Sequence, residues 1–66
     1  MNIRELDSAV HSHTRAIPIY RGLAGVGRPM TLDGKILRES FRYKGNWIWY
    51  TVQDGRALYM VQPLDN

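Results

Sequence analysis

The residue types best suited to recognition in this chain are Arg38, Arg42, Trp47, Trp49, Arg56 and Met60. A guanidinium is a planar, permanently charged fork that pairs with carboxylate or phosphate and stacks on rings. An indole offers a flat apolar surface to a base or to a hydrophobic side chain. Together these groups point to binding, with either nucleic acid or another protein as the partner.

The groups that could do covalent chemistry make a weaker set. His11 and His13 are two residues apart, which on a helix turns them about 200° from one another and prevents joint action on one ligand. An extended His-x-His could hold a metal weakly, but no acidic or thiol ligand stands at a supporting spacing. Asp7, Ser8 and His11 have the letters of a nucleophilic set, yet neighbours on one surface helix do not make a preorganised pocket. Asp33 and Asp54 each precede glycine and are explained by turn chemistry, and Glu39 is a single carboxylate. The glycines of the stretch 22–27 could approach an anion, but that run ends in Gly-Arg-Pro and not in the Gly-Lys-Ser/Thr of a phosphate loop. The expectation is a non-enzymatic module, with no catalytic residue, metal, cofactor or small-molecule substrate.

Composition sets the scale. Sixty-six residues allow a single domain with a small core. The absence of cysteine removes disulfides and thiolate metal sites, so packing or a partner must supply the stability. The net charge is +3, and seven of the nine cations are arginine. From Arg15 to Lys44 seven cations stand against Asp33 and Glu39, a footprint suited to nucleic acid or to an acidic protein. No apolar run has the ~20 residues of a membrane span, and the N-terminus lacks a signal-peptide pattern. A cytoplasmic location is expected, with no membrane partner.

The elements that must position the binding residues follow from periodicity. Asn2 and Glu5 form a capping pattern, and Ile3, Leu6 and Val10 recur at helical spacing, predicting a helix over about 2–13. Pro18 makes 16–21 an edge strand, and 22–29 reads as a glycine-rich loop. Asp33-Gly34 and Asp54-Gly55 are hairpin signals, and Lys44-Gly45-Asn46 marks a turn between them. Meander strands are therefore expected at about 30–32, 35–43, 47–53 and 56–62. The fold class is α+β: an N-terminal amphipathic helix packed on a twisted four- to five-stranded antiparallel β-meander. The same pattern is compatible with curling into a small SH3-like barrel.

A two-residue loop at Asp54-Gly55 fixes the register and hence the faces. Leu37, Phe41, Tyr43, Ile48, Tyr50, Val52, Ala57, Tyr59 and Val61 fall on one face, the bed for the helix. Arg38, Ser40, Arg42, Trp47, Trp49, Thr51, Arg56, Leu58, Met60 and Gln62 fall on the other. Three readings compete for this second face: barrel core under arginine stems, a platform for nucleic acid, and a protein interface. Nucleic acid ranks first because the cationic excess lies largely in this segment. A protein partner is the alternative, as for an inhibitor or accessory protein of phage or plasmid type, and a homodimer through the same face is the third possibility.

Overall fold

The computed structural model describes residues 1–23, 30–32 and 35–64. Helix α1 (Ile3–Thr14) is followed by strands β1 (Ile17–Leu23), β2 (Met30–Leu32), β3 (Lys35–Leu37), β4 (Glu39–Tyr43), β5 (Asn46–Gln53) and β6 (Arg56–Pro63). The turn 33–34 and most of the glycine-rich stretch lie outside the described residues.

Helix α1 starts where Asn2 accepts the Glu5 backbone N–H at 2.8 Å, satisfying one of the first-turn donors that no helical carbonyl can reach. It ends at Arg15, which takes a left-handed conformation and donates its N–H to the His11 carbonyl at 2.7 Å. The expected stripe is narrower in the fold: Leu6 and Val10 are buried, whereas Ile3 is 45% exposed. The first turn is held instead by Glu5, whose carboxylate accepts from the Tyr43 hydroxyl and pairs with Lys44.

Four strands form one open sheet in the order β1-β6-β5-β4, and β2 pairs with β3 as a separate antiparallel hairpin. The expected register is reproduced along β5 and β6, from Gln53 opposite Arg56 to Trp47 opposite Gln62. Both tight turns use the left-handed conformations of a two-residue hairpin, at Lys44-Gly45 and at Asp54-Gly55.

Three expectations need correction. The sheet is mixed, because β1 runs parallel to β6. After Arg15 the chain returns beside the Asp54-Gly55 turn, where the Ile17 N–H donates to the Gly55 carbonyl at 2.8 Å. Strands β1 and β6 thus start at the same end of the sheet and run the same way. The strand expected over 35–43 is two strands broken at Arg38. Side-chain alternation restarts at such a break, so Leu37 lands on the face opposite the one expected and packs with Trp49 and Met60. The sheet also stays open, with β1 and β4 as its edges, and does not close into a barrel.

The main core lies between α1 and the sheet: Leu6, Val10, Ala16, Ile48, Ala57, Tyr59 and Val61, with Tyr20, Phe41, Tyr43 and Tyr50 at its margins. Because the helix packs chiefly on β1 and β6, it leaves the β4 side to aromatic rings, and His13 stacks on Phe41 at 4.1 Å between centroids. Tyr59 is fully buried and donates its hydroxyl to Asp7, which satisfies a polar group that would otherwise cost free energy in the core.

Candidate functional site

The face opposite α1 is built from alternate residues of four strands. Register places Ser40 and Arg42 of β4, Trp47, Trp49, Thr51 and Gln53 of β5, and Arg56, Leu58, Met60 and Gln62 of β6 on it. The parallel strand adds Ile17 opposite Arg56 and Ile19 opposite Leu58.

The crossing of the chain divides this face. The path from β1 at one edge to β4 at the other runs through the β2–β3 hairpin, and the fully buried Leu37 seats β3 on Trp49 and Met60. The middle of the face is therefore packed, and two ends remain.

One end holds the arginine–tryptophan cluster. Arg42 stands directly opposite Trp47 across the β4–β5 ladder, and its guanidinium lies 4.9 Å from the centre of the Trp47 ring. A cation at this distance over an indole is held by the ring quadrupole, worth about 0.5–1 kcal/mol at an exposed site. The Trp49 ring is 6.2 Å from the Trp47 ring and tilted by 39°. Its indole N–H donates to the Gln62 side chain at 3.0 Å, which fixes Trp49 as the support on which the half-buried Trp47 rests.

The other end is a concavity of about 430 Å³ lined by Ile19, Gln53, Asp54, Arg56 and Leu58. Arg56 is thus four residues along β6 from Met60, roughly 13 Å at the usual rise of a strand. Of the six residues expected to act together, Arg42, Trp47, Trp49 and Met60 are grouped by the fold. Arg56 stands apart at the far end. Arg38 is exposed and belongs to no strand.

Charge is distributed unevenly between the two sides. On the helix side Glu5 and Lys44 compensate one another: the Lys44 ammonium, then the Tyr43 hydroxyl, hold the Glu5 carboxyl below its ordinary value, and Glu5 raises Lys44. Glu39 is on this side too, opposite Tyr50, where burial first and the carboxylate second push the tyrosine hydroxyl up. The strand residues that register places on the opposite face carry charge as arginine alone, and Asp54 joins them only at the hairpin tip.

The groups with catalytic letters are dispersed. Asp7 accepts from Tyr59, His11 shares a hydrogen bond of 3.1 Å with the Ala16 carbonyl, and His13 lies on Phe41. Among the described residues no group of three His, Asp or Glu side chains is placed to hold a metal ion. No described helix is long and apolar enough to cross a membrane.

Three contributors to the face, Ile17, Ile19 and Leu37, were not legible beforehand. Ile17 and Ile19 reach it only through the parallel pairing of β1, although their alternation about Pro18 is the period of a strand edge. Leu37 reaches it through the break at Arg38, which no glycine or proline announces. Comparison with protein-family models, with curated proteins and with solved structures finds no match.

Proposed function

We propose that the chain is a non-enzymatic binding module that takes single-stranded nucleic acid on the Arg42–Trp47 end of its sheet. The observation that carries this reading is the pair itself. An arginine lies over an indole, and a second indole buttresses the first. Base stacking on Trp47 and phosphate neutralisation by Arg42 are the two interactions from which sequence-tolerant single-strand binders are made. Gln62 and Ser40 beside them supply side-chain donors and acceptors.

The test is a fluorescence titration with short oligonucleotides. Stacking should quench the tryptophan emission, and the affinity should fall with salt by about 0.7 log units per log salt for each phosphate contacted. Trp47→Ala should weaken binding by about 1–3 kcal/mol, roughly 5- to 150-fold. Arg42→Ala should lower the salt slope by about 0.7. Binding that stays undetectable at low salt would end the proposal.

A second reading is favoured by a specific observation. Ile17 is 63% exposed beside the concavity of Ile19, Leu58 and Arg56, which suits an apolar side chain of a protein partner better than a base. That reading assigns binding to the far end, so Leu58→Ala and Arg56→Ala would abolish it while Trp47→Ala would not.

A further inference from the structure

The two edges of the sheet are finished differently. Strand β1 carries Pro18 within it, and its register shifts between Tyr20 and Leu23. Proline and irregular pairing are the usual means by which an edge avoids pairing with another chain. Strand β4 has neither: its five residues Glu39–Tyr43 pair with β5 in unbroken register, with no proline and no lysine. Its single cation, Arg42, is folded back over Trp47 and does not guard the edge.

The hairpin fixes which backbone groups β4 leaves unpaired within its sheet. Tyr43 and Asn46 flank a two-residue turn, so they exchange both backbone hydrogen bonds. Alternation then directs the backbone of Phe41 and Glu39 toward β5 and that of Ser40 and Arg42 outward. A second β4 laid antiparallel alongside, with the two-fold axis at Phe41, sets Ser40 of each copy against Arg42 of the other. Those are the outward-facing residues, and all four of their N–H and C=O groups per copy become paired. Few registers achieve this, because a slip by one residue would oppose outward groups to inward ones.

The side chains agree with that register. The axis is perpendicular to the sheet, so both helices lie on the same face. Phe41 meets Phe41 of the second copy in the closely spaced type of pair, with Cα atoms about 4.5 Å apart. Aromatic cross-strand pairs are among the more favourable ones. Each ladder end brings Glu39 of one copy against Tyr43 of the other, so no like charges are opposed along the seam. Next to the edge, Ser8, Ala9, Ser12, His13, Phe41 and Tyr43 line an open groove of about 420 Å³. It lies where the off-centre helix leaves β4 uncovered, and it gives the second copy's aromatic side chains a place to pack.

We infer that the chain forms a symmetric homodimer by pairing its β4 strands into a continuous eight-stranded sheet. The dimer would set two Arg42–Trp47 clusters on one common face, doubling the site. It uses the backbone edge of β4, whereas the nucleic-acid proposal uses side chains on the sheet face, so association measured without nucleic acid tests it alone.

Sedimentation velocity from micromolar to millimolar protein tests the association, and the absence of cysteine allows a clean test of register. The wild-type chain should shift from monomer to dimer with rising concentration. Ser40→Pro removes an outward N–H without touching the β4–β5 ladder, so it should remain folded by circular dichroism and become monomeric. Arg42→Pro does the same at the other outward residue, should Ser40→Pro fail to fold. Under mild oxidation Phe41→Cys should link most of the protein into covalent dimers, whereas Gln53→Cys on β5 should not. A monomer at every concentration overturns the inference. So does a dimer that persists in a folded Ser40→Pro or Arg42→Pro, or that links through Gln53→Cys as readily as through Phe41→Cys.

Discussion

Replacing Leu37 by alanine should open the far side of the molecule without unfolding the rest. Leu37 is fully buried, and among the described residues it packs with Trp49 and Met60 in a cluster separate from the helix–sheet core. Leucine-to-alanine changes in cores cost about 2–5 kcal/mol, least where the site can collapse. Because half-buried Trp49 and Met60 can settle into the space, about 2 kcal/mol is expected here. A domain of 66 residues has about 3–10 kcal/mol in all, so the sheet and helix should remain folded. Because β3 pairs with β2 in a sheet of their own among the described residues, the loss should fall on the hairpin, raising its opening about 30-fold. Amide exchange should accelerate by that factor in β2 and β3 and stay slow in β5 and β6. In a Trp47→Phe background, the emission of Trp49 should move to longer wavelength as its cover lifts. Exchange that accelerates uniformly across the sheet, or a Trp49 emission that does not move, would refute the separation of the two clusters.

The remaining predictions concern the core and a turn. Tyr59→Phe removes the hydroxyl that Asp7 accepts, and should cost about 1 kcal/mol at neutral pH, read from urea midpoints. Burial, then Asp7, push the Tyr59 hydroxyl up. Its contribution is thus fully present below about pH 10, where the unfolded tyrosine is also neutral, and is lost above it as the unfolded form ionises. The alkaline fall in stability should be shallower in Tyr59→Phe than in the wild type, and an identical slope would contradict the assignment. Gly55→Ala should cost about 1 kcal/mol through backbone conformation alone, because Gly55 sits at φ +74° with nothing within 4 Å of an added Cβ. A neutral substitution would show that the turn relaxes to another type.

Much of the helix and of the β5–β6 ladder was legible in the sequence because each rests on local rules. Asn2 and Glu5 define a cap, and Asp54-Gly55 dictates a two-residue turn from which every opposed pair in the hairpin follows. That Arg42 and Trp47 share a face came from the same alternation, whereas their standing directly opposite one another follows from the two-residue turn at Lys44-Gly45. What local rules do not carry is a strand's partner across the chain. The parallel pairing of β1 is decided by where Arg15 redirects the backbone and by the Ile17–Gly55 hydrogen bond, both of which are tertiary. The break at Arg38 has no marker residue, and one lost step of alternation moved Leu37 from one face to the other. That step decides how the candidate site is built, since it turns Trp49 and Met60 from open platform into a packed support and leaves Trp47 as the ring available to a ligand.

The claim that the Arg42–Trp47 end is the binding surface is tested most directly by following the two indole N–H signals in a proton–nitrogen correlation spectrum. A short single-stranded oligonucleotide is added at low salt and then displaced by raising the salt. The Trp47 signal should shift progressively and return on displacement. Trp49, whose N–H is held by Gln62, should move less, and the backbone signals of Ser8 and Ser12 on the helix should stay in place. Shifts concentrated on the helix, or on Ile19, Arg56 and Leu58 with Trp47 unmoved, would contradict it.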